Sequence, residues 1–210
     1  MAKVDAFLLT LAIYKHIIMA LIGRENEKRI LINALYSNRS ELIVVYGRRR
    51  IGKTFLIREV YKKQIKFEFS GIYKTGLREQ LKNFSLKLKS IGVKSKRPSD
   101  WFEAFQLLAG FIGQDKSKKK KVIFIDEFPW LDTRKSNFLA AFDNFWNTFV
   151  SARKDIVVVI CGSAASYMIN NIIKNTGGLH NRLTEKIQLA PFNLRNRVDV
   201  KIEKSPAFEI

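Results

Sequence analysis

The chain has 210 residues, 47% of them apolar, and a formal net charge of +19 from 38 Lys and Arg against 19 Asp and Glu. That is enough apolar material for one α/β domain with its own core, which excludes a disordered chain. The single cysteine, Cys161, excludes an internal disulfide framework and fits a reducing, cytoplasmic compartment. No apolar run reaches the roughly 18 residues that a membrane span requires.

Residues 1–20 read as an N-terminal extension. Its apolar stretch, Ala6 to Ile22, is broken by Lys15 and His16 and carries no convincing signal-peptide cleavage site, and Met19 offers an alternative start. The two histidines, His16 and His180, are too isolated to suggest a metal site. A helix follows with Ile30, Leu31, Ala34 and Leu35 at helical spacing. Ser37-Asn38-Arg39-Ser40 is a turn, and Leu42 to Tyr46 is continuously apolar, as expected of a strand covered on both faces.

That strand runs into Gly47-Arg48-Arg49-Arg50-Ile51-Gly52-Lys53-Thr54, and a helix with Leu56, Ile57, Val60 and Tyr61 comes next. The pattern G-x-x-x-x-G-K-[ST] between a strand and a helix is the phosphate loop, or Walker A motif. Its glycines let the backbone curl N–H groups inward as an anion nest, and the helix adds its positive end. Lys53 is expected to reach the β- and γ-phosphates of a nucleotide, and Thr54 to place a hydroxyl on Mg²⁺. Gly47, Arg48, Arg49, Arg50, Ile51, Gly52, Lys53, Thr54 and Phe55 are the candidate nucleotide contacts.

Residues 66–70 alternate polar and apolar as a second strand. A helix is expected at 76–91, then a basic linker at Ser95 to Arg97, then a helix capped by Ser99 with Trp101, Phe102, Phe105, Leu108 and Phe111 on it. Aromatics at helical spacing read as core. Residues 115–121 read as a solvated, lysine-rich turn. The strand Val122-Ile123-Phe124-Ile125 then ends in Asp126-Glu127, the Walker B arrangement. An acid at that strand end faces the phosphate loop. Asp126 is expected to hold Mg²⁺ through water, and Glu127 to polarise the attacking water.

A helix at about 135–151 carries Phe138, Phe142, Phe145, Trp146 and Phe149 as core or subunit contact. Ile156 to Cys161 is the next strand, closed by Gly162-Ser163 and a helix at about 164–174. Ser163 is a candidate γ-phosphate or water sensor and equally a helix cap. After a loop at Thr176-Gly177-Gly178, Glu185 to Phe192 reads as a last strand. Five strands interleaved with helices form a parallel sheet covered on both faces.

Together, Ile22-Gly23-Arg24-Glu25, Tyr46 to Thr54, Phe124-Ile125-Asp126-Glu127-Phe128-Pro129-Trp130, Ile160-Cys161-Gly162-Ser163 and Gly178 to Leu183 carry a resemblance. They resemble the prokaryotic ATPase family common in archaea and Bacteroides-like bacteria, near the origin-recognition and STAND branches of AAA+-related ATPases. The resemblance spans residues 20–193, the expected ATPase domain being 21–193. It implies a three-layer P-loop NTPase fold with a five-stranded parallel sheet in the order 5-1-4-3-2. It implies ATP as ligand, with Ile22, Gly23 and Arg24 on the base side. It also implies Arg182 as an arginine finger toward a second copy, against the alternative of a surface salt bridge. The family pattern continues into a helical lid, whereas residues 194–210 read here as a truncated or irregular tail.

Three functions follow as expectations: Mg²⁺-dependent ATP hydrolysis with Lys53, Glu127, Ser163 and Arg182 in catalytic places, a nucleotide-dependent switch with little turnover, and a DNA-associated module. The charge supports the last only in part. Lys62, Lys63, Lys66, Lys82, Lys87, Lys89, Lys94 and Lys96 are dispersed among helical residues as a solvated surface would be.

Overall fold

The computed structural model describes residues 23–174, 179 and 182–191. The expectations for the extension at 1–20, Ile22, Met19, the loop at 176–178, His180 and the tail at 194–210 lie outside the described residues.

The elements follow in chain order: α1 (Glu25–Tyr36), β1 (Glu41–Gly47), α2 (Lys53–Tyr61), β2 (Ile65–Ser70), α3 (Leu77–Ser90), α4 (Trp101–Gln114) and β3 (Lys121–Asp126). A 3₁₀ turn (Phe128–Trp130) leads toward α5 (Phe138–Phe145), β4 (Ile156–Gly162), the one-turn α6 (Ala165–Tyr167) and β5 (Glu185–Leu189). The five strands form one parallel sheet in the order β2-β3-β4-β1-β5, which is 5-1-4-3-2 read from the other edge.

Why these segments become central strands is plain from their side chains. β3 and β4 are buried along their whole length, because helices cover both faces. Alternate residues then feed two cores. Leu42, Val44, Ile123, Ile125, Val158 and Ile160 face α3, α4 and α5. Ile43, Val45, Val122, Phe124, Val157, Val159 and Cys161 face α1 and α2. Burial pushes the Cys161 thiol well above its ordinary range, so it is a small core residue and not a nucleophile.

The first core is dominated by rings. Trp101 lies 4.9 Å from Phe138 between ring centres, and Phe128 lies 4.8 Å from Phe138, both at steep angles. The aromatic face expected over 135–151 is therefore core. The helix itself starts later, at Phe138, because Lys135 and Asn137 take left-handed backbone angles (φ 58° and 53°). It finishes as a π-helical turn, Trp146–Val150, and α6 continues likewise as Met168–Ile173.

Two local expectations are corrected. The cap of α4 is Asp100, not Ser99: its side chain accepts a hydrogen bond from the Glu103 amide at 2.9 Å. Glu103 reaches back to accept from the Ser99 amide and hydroxyl at 2.7 and 2.9 Å, so both residues serve the cap. Lys121 is not part of a solvated turn. It opens a strand lodged between β2 and β4 and is 0% exposed. Its ammonium donates to the Asp155 carboxylate at 2.8 Å and to the Ser117 carbonyl at 2.7 Å.

Asp155 also accepts two bonds from Arg153, at 2.9 and 2.8 Å. Those bonds, opposed by burial and reinforced by Lys121, hold its carboxyl at about 2. A depressed folded value adds stability above the unfolded carboxylate range and loses it as pH falls through the folded value. Wild-type thermal stability should accordingly fall between about pH 4 and pH 2. In Asp155→Asn that part of the decline should be missing, and stability at pH 7 should be lower by about 2 kcal/mol. Melting curves across that range check both.

Candidate functional site

The site forms at the C-terminal edge of the sheet, where β1 and β3 flank β4. Tyr46 is level with Gly162 and Ile125 with Ile160, so the loops after all three strands begin side by side. The chain turns from β1 toward β2 on one side and meets β5 on the other. This is the switch point where α/β sheets open a crevice.

The loop after β1 starts at Gly47, with φ 147°. A Cβ there would lie 2.3 Å from the Leu189 carbonyl oxygen and 2.8 Å from the Ile51 side chain, so only glycine fits against β5. Arg50 and Gly52 are left-handed (φ 63° and 88°), which curls the loop over the start of α2. Lys53, the first residue of α2, is almost wholly buried. Its ammonium spans the loop, donating to the Gly47 and Arg48 carbonyls at 2.9 Å each.

Thr54 ties the two motifs together. Its hydroxyl donates to Asp126 Oδ2 at 2.6 Å, and Asp126 Oδ1 accepts the Glu127 amide at 2.8 Å. Glu127 itself is left-handed, at φ 46° and ψ 42°. Its Oε2 accepts from Trp130 Nε1 at 3.1 Å and from Ser163 Oγ at 3.1 Å, and Ser163 also reaches Oε1 at 3.3 Å. A cavity of about 860 Å³ opens over this group.

Of the residues singled out from sequence, Arg49, Arg50, Gly52, Lys53, Thr54 and Phe55 line the cavity, with Glu127 among them. Gly47 and Arg48 contribute the carbonyls that hold Lys53, and Ile51 packs against Gly47. Asp126 joins through Thr54, and Ser163 through Glu127. Gly23 and Arg24 are not in the lining. The Arg24 guanidinium donates to the Ala190 carbonyl at 2.6 Å and to Glu27, tying the start of α1 to the residue after β5. Arg182 is also elsewhere: it pairs with Asp143 of α5 in the same chain.

Three residues at or behind the cavity were not singled out. Arg58 lines it and pairs with Glu68 at 2.6 Å. Trp130 holds Glu127, and the spacing was a readable signal, since residues three apart eclipse in a 3₁₀ turn. Gln80 is fully buried on α3. It accepts from the Ile72 amide and donates to the Ile72 and Trp130 carbonyls. A polar residue amid Leu77, Leu81 and Phe84 was its only mark.

The donor set suits a hard, oxygen-seeking cation. A hydroxyl and a carboxylate touch at the cavity wall, while among the described residues no three His, Cys, Asp or Glu come together to cage an ion. Mg²⁺ is bound in that way, by one or two protein oxygens, waters and phosphate oxygens. Among the described residues no helix is long and apolar enough to cross a membrane.

Comparison with known proteins bears on the family and the fold. Residues 21–206 match the model of a family described as an ATPase domain predominantly from Archaea. An uncharacterised protein of Methanocaldococcus jannaschii is 28% identical over 175 residues, which cover 83% of this chain and 37% of that protein. Among solved structures, the Walker-type ATPase of Pyrococcus abyssi superposes with a TM-score of 0.63 at 18% identity, over 85% of this chain and 56% of that one. The Aeropyrum pernix ORC2 protein, solved in ADPNP–ADP complexes, gives 0.61 at 19% identity, over 84% and 50%. Drosophila ORC bound to DNA gives 0.63 at 16%, over 87% and 46%. The likenesses to solved structures show the fold, that of P-loop ATPases. With a family match over most of its length, the chain belongs to the ATPase-domain family found predominantly in Archaea.

Proposed function

We propose that this chain binds ATP and hydrolyses it with Mg²⁺. The observation that carries the proposal is the Thr54–Asp126 hydrogen bond, which sets a hydroxyl and a carboxylate beside a buried loop lysine and across from a second carboxylate. Lys53 turns from the loop carbonyls to the β- and γ-phosphates. The loop amides and the N-terminus of α2 receive the remaining phosphate charge. Thr54 and Asp126 would hold Mg²⁺, which would supply neutralisation of the phosphate charge. Glu127 orients the attacking water, and Ser163 stands beside it as sensor. Arg49 and Arg50 add positive charge at the cavity mouth.

Adenine is the proposed base, in keeping with the ADPNP–ADP complexes of the Aeropyrum relative in fold. The base side is assigned to the backbone around Gly23, because the Arg24 guanidinium is engaged with Ala190 and Glu27. Arg182 acts as a finger toward a second copy only if it leaves Asp143, so self-association belongs to the proposal as a nucleotide-dependent step.

A second reading is favoured by the charge of +19 and by the fold likeness to a DNA-bound origin-recognition complex. In it the domain serves as a nucleotide-dependent switch on DNA, with little turnover. Duplex binding driven by phosphate contacts weakens steeply with salt.

Lys53→Ala should weaken binding of a fluorescent ATP analogue by about 100-fold, through loss of a charge-assisted phosphate contact. Glu127→Gln should bind within twofold of wild type yet hydrolyse about 100-fold more slowly. Normal turnover in Glu127→Gln would remove Glu127 from the water's side. For the second reading, titration of labelled duplex should show a binding constant whose logarithm falls linearly with log[salt]. No binding at low salt would eliminate it.

A further inference from the structure

We infer that Trp130 is the positioning residue for the Glu127 carboxylate. The inference rests on the hydrolytic reading and adds to it the group that aims the carboxylate. Glu127 sits in a left-handed backbone conformation that disfavours a side chain with a Cβ. Something must hold its long, flexible side chain in one direction. The 3₁₀ turn that follows brings Trp130 onto the same side, and its indole N–H meets Oε2 at 3.1 Å. An indole N–H only donates, so it cannot take the water's proton or compete for it.

The two carboxylate oxygens are unequally engaged. Oε2 accepts from both Trp130 and Ser163 at 3.1 Å, whereas Oε1 has one longer contact, 3.3 Å from Ser163. Oε2 is therefore the anchor, and Oε1 keeps lone-pair capacity for a water in the cavity.

Trp130 is itself fixed from several sides. Its carbonyl accepts from the fully buried Gln80 at 2.9 Å. Its ring meets Tyr73 edge-to-face at 4.5 Å. The turn that carries it is wedged between two strand ends. A Cβ on Gly71 would lie 2.6 Å from the Glu127 carbonyl oxygen, and one on Gly162 would lie 2.8 Å from Pro129. Both strand ends approach so closely that the turn has no room to shift.

Two measurements on the full chain decide the matter. Trp130→Phe keeps an aromatic ring beside Tyr73 while removing the N–H and part of the indole's area. It should lower kcat about tenfold, with KM for ATP within twofold and the fold retained by circular dichroism. A change in kcat below twofold, or a rise in KM at constant kcat, would overturn the role. Separately, ¹⁵N-tryptophan labelling gives three indole signals, for Trp101, Trp130 and Trp146. The one missing in Trp130→Phe should move clearly in Glu127→Ala, while the other two stay in place. If it does not move, the hydrogen bond is absent and the inference fails. Absence of turnover in the wild type would instead overturn the hydrolytic reading, and the indole signal would then decide by itself whether Trp130 holds the carboxylate.

Discussion

Everything at the site depends on β4 lying between β1 and β3. Its seven residues are all buried, and its Val-Val-Val-Ile run pairs on both edges. Such a strand needs hydrogen-bonded neighbours on both edges, here both parallel to it, and helices that seal both faces. That requirement brings the ends of β1 and β3 to one edge, although 73 residues separate Lys53 from Asp126 in the chain. The 2.6 Å bond between Thr54 and Asp126 follows from it. So does the position of Ser163, one residue beyond β4 and beside Glu127.

Backbone strain gathers at the same edge. Gly47, Arg50, Gly52 and Glu127 all have positive φ there. Arg50 and Glu127 hold conformations that cost side-chain-bearing residues of order 1 kcal/mol or more each. The buried sheet and its two cores supply the surplus that sustains them. The same rigidity serves function, because a carboxylate on a fixed turn needs little reordering to meet a water.

Charge inside the fold is handled by pairing. Lys121 is buried at the start of β3 and bonded to Asp155, and Lys28 is buried on α1 and bonded to Glu25 at 2.7 Å. Tyr61 of α2 is buried too, and its hydroxyl donates to the Leu31 carbonyl of α1 at 2.7 Å, joining the two helices that cover one face. Each such group would be costly if left unsatisfied, and each is bonded. Among the described residues most of the other Lys and Arg side chains lie at the surface.

Local signals determined much of the protein. The phosphate loop was legible because a strand, two glycines and Lys53-Thr54 occur within one short segment. The acidic strand end was legible because Asp126 and Glu127 follow four apolar residues. Periodicity distinguished the five strands from the helices, and the motifs together indicated the family. What the sequence could not carry were contacts between distant segments. Lys121 read as solvated because nothing near it reveals that β3 is inserted between two other strands. Arg182 read as either a finger or a surface salt bridge, and only the folded chain shows Asp143 within its reach. The grip of Trp130 and Gln80 on the turn after β3 likewise depends on how β2, β3 and α3 converge. Local propensity is set by neighbours in sequence, whereas pairing and burial are set by neighbours in space, and the second are decided only when the sheet has formed.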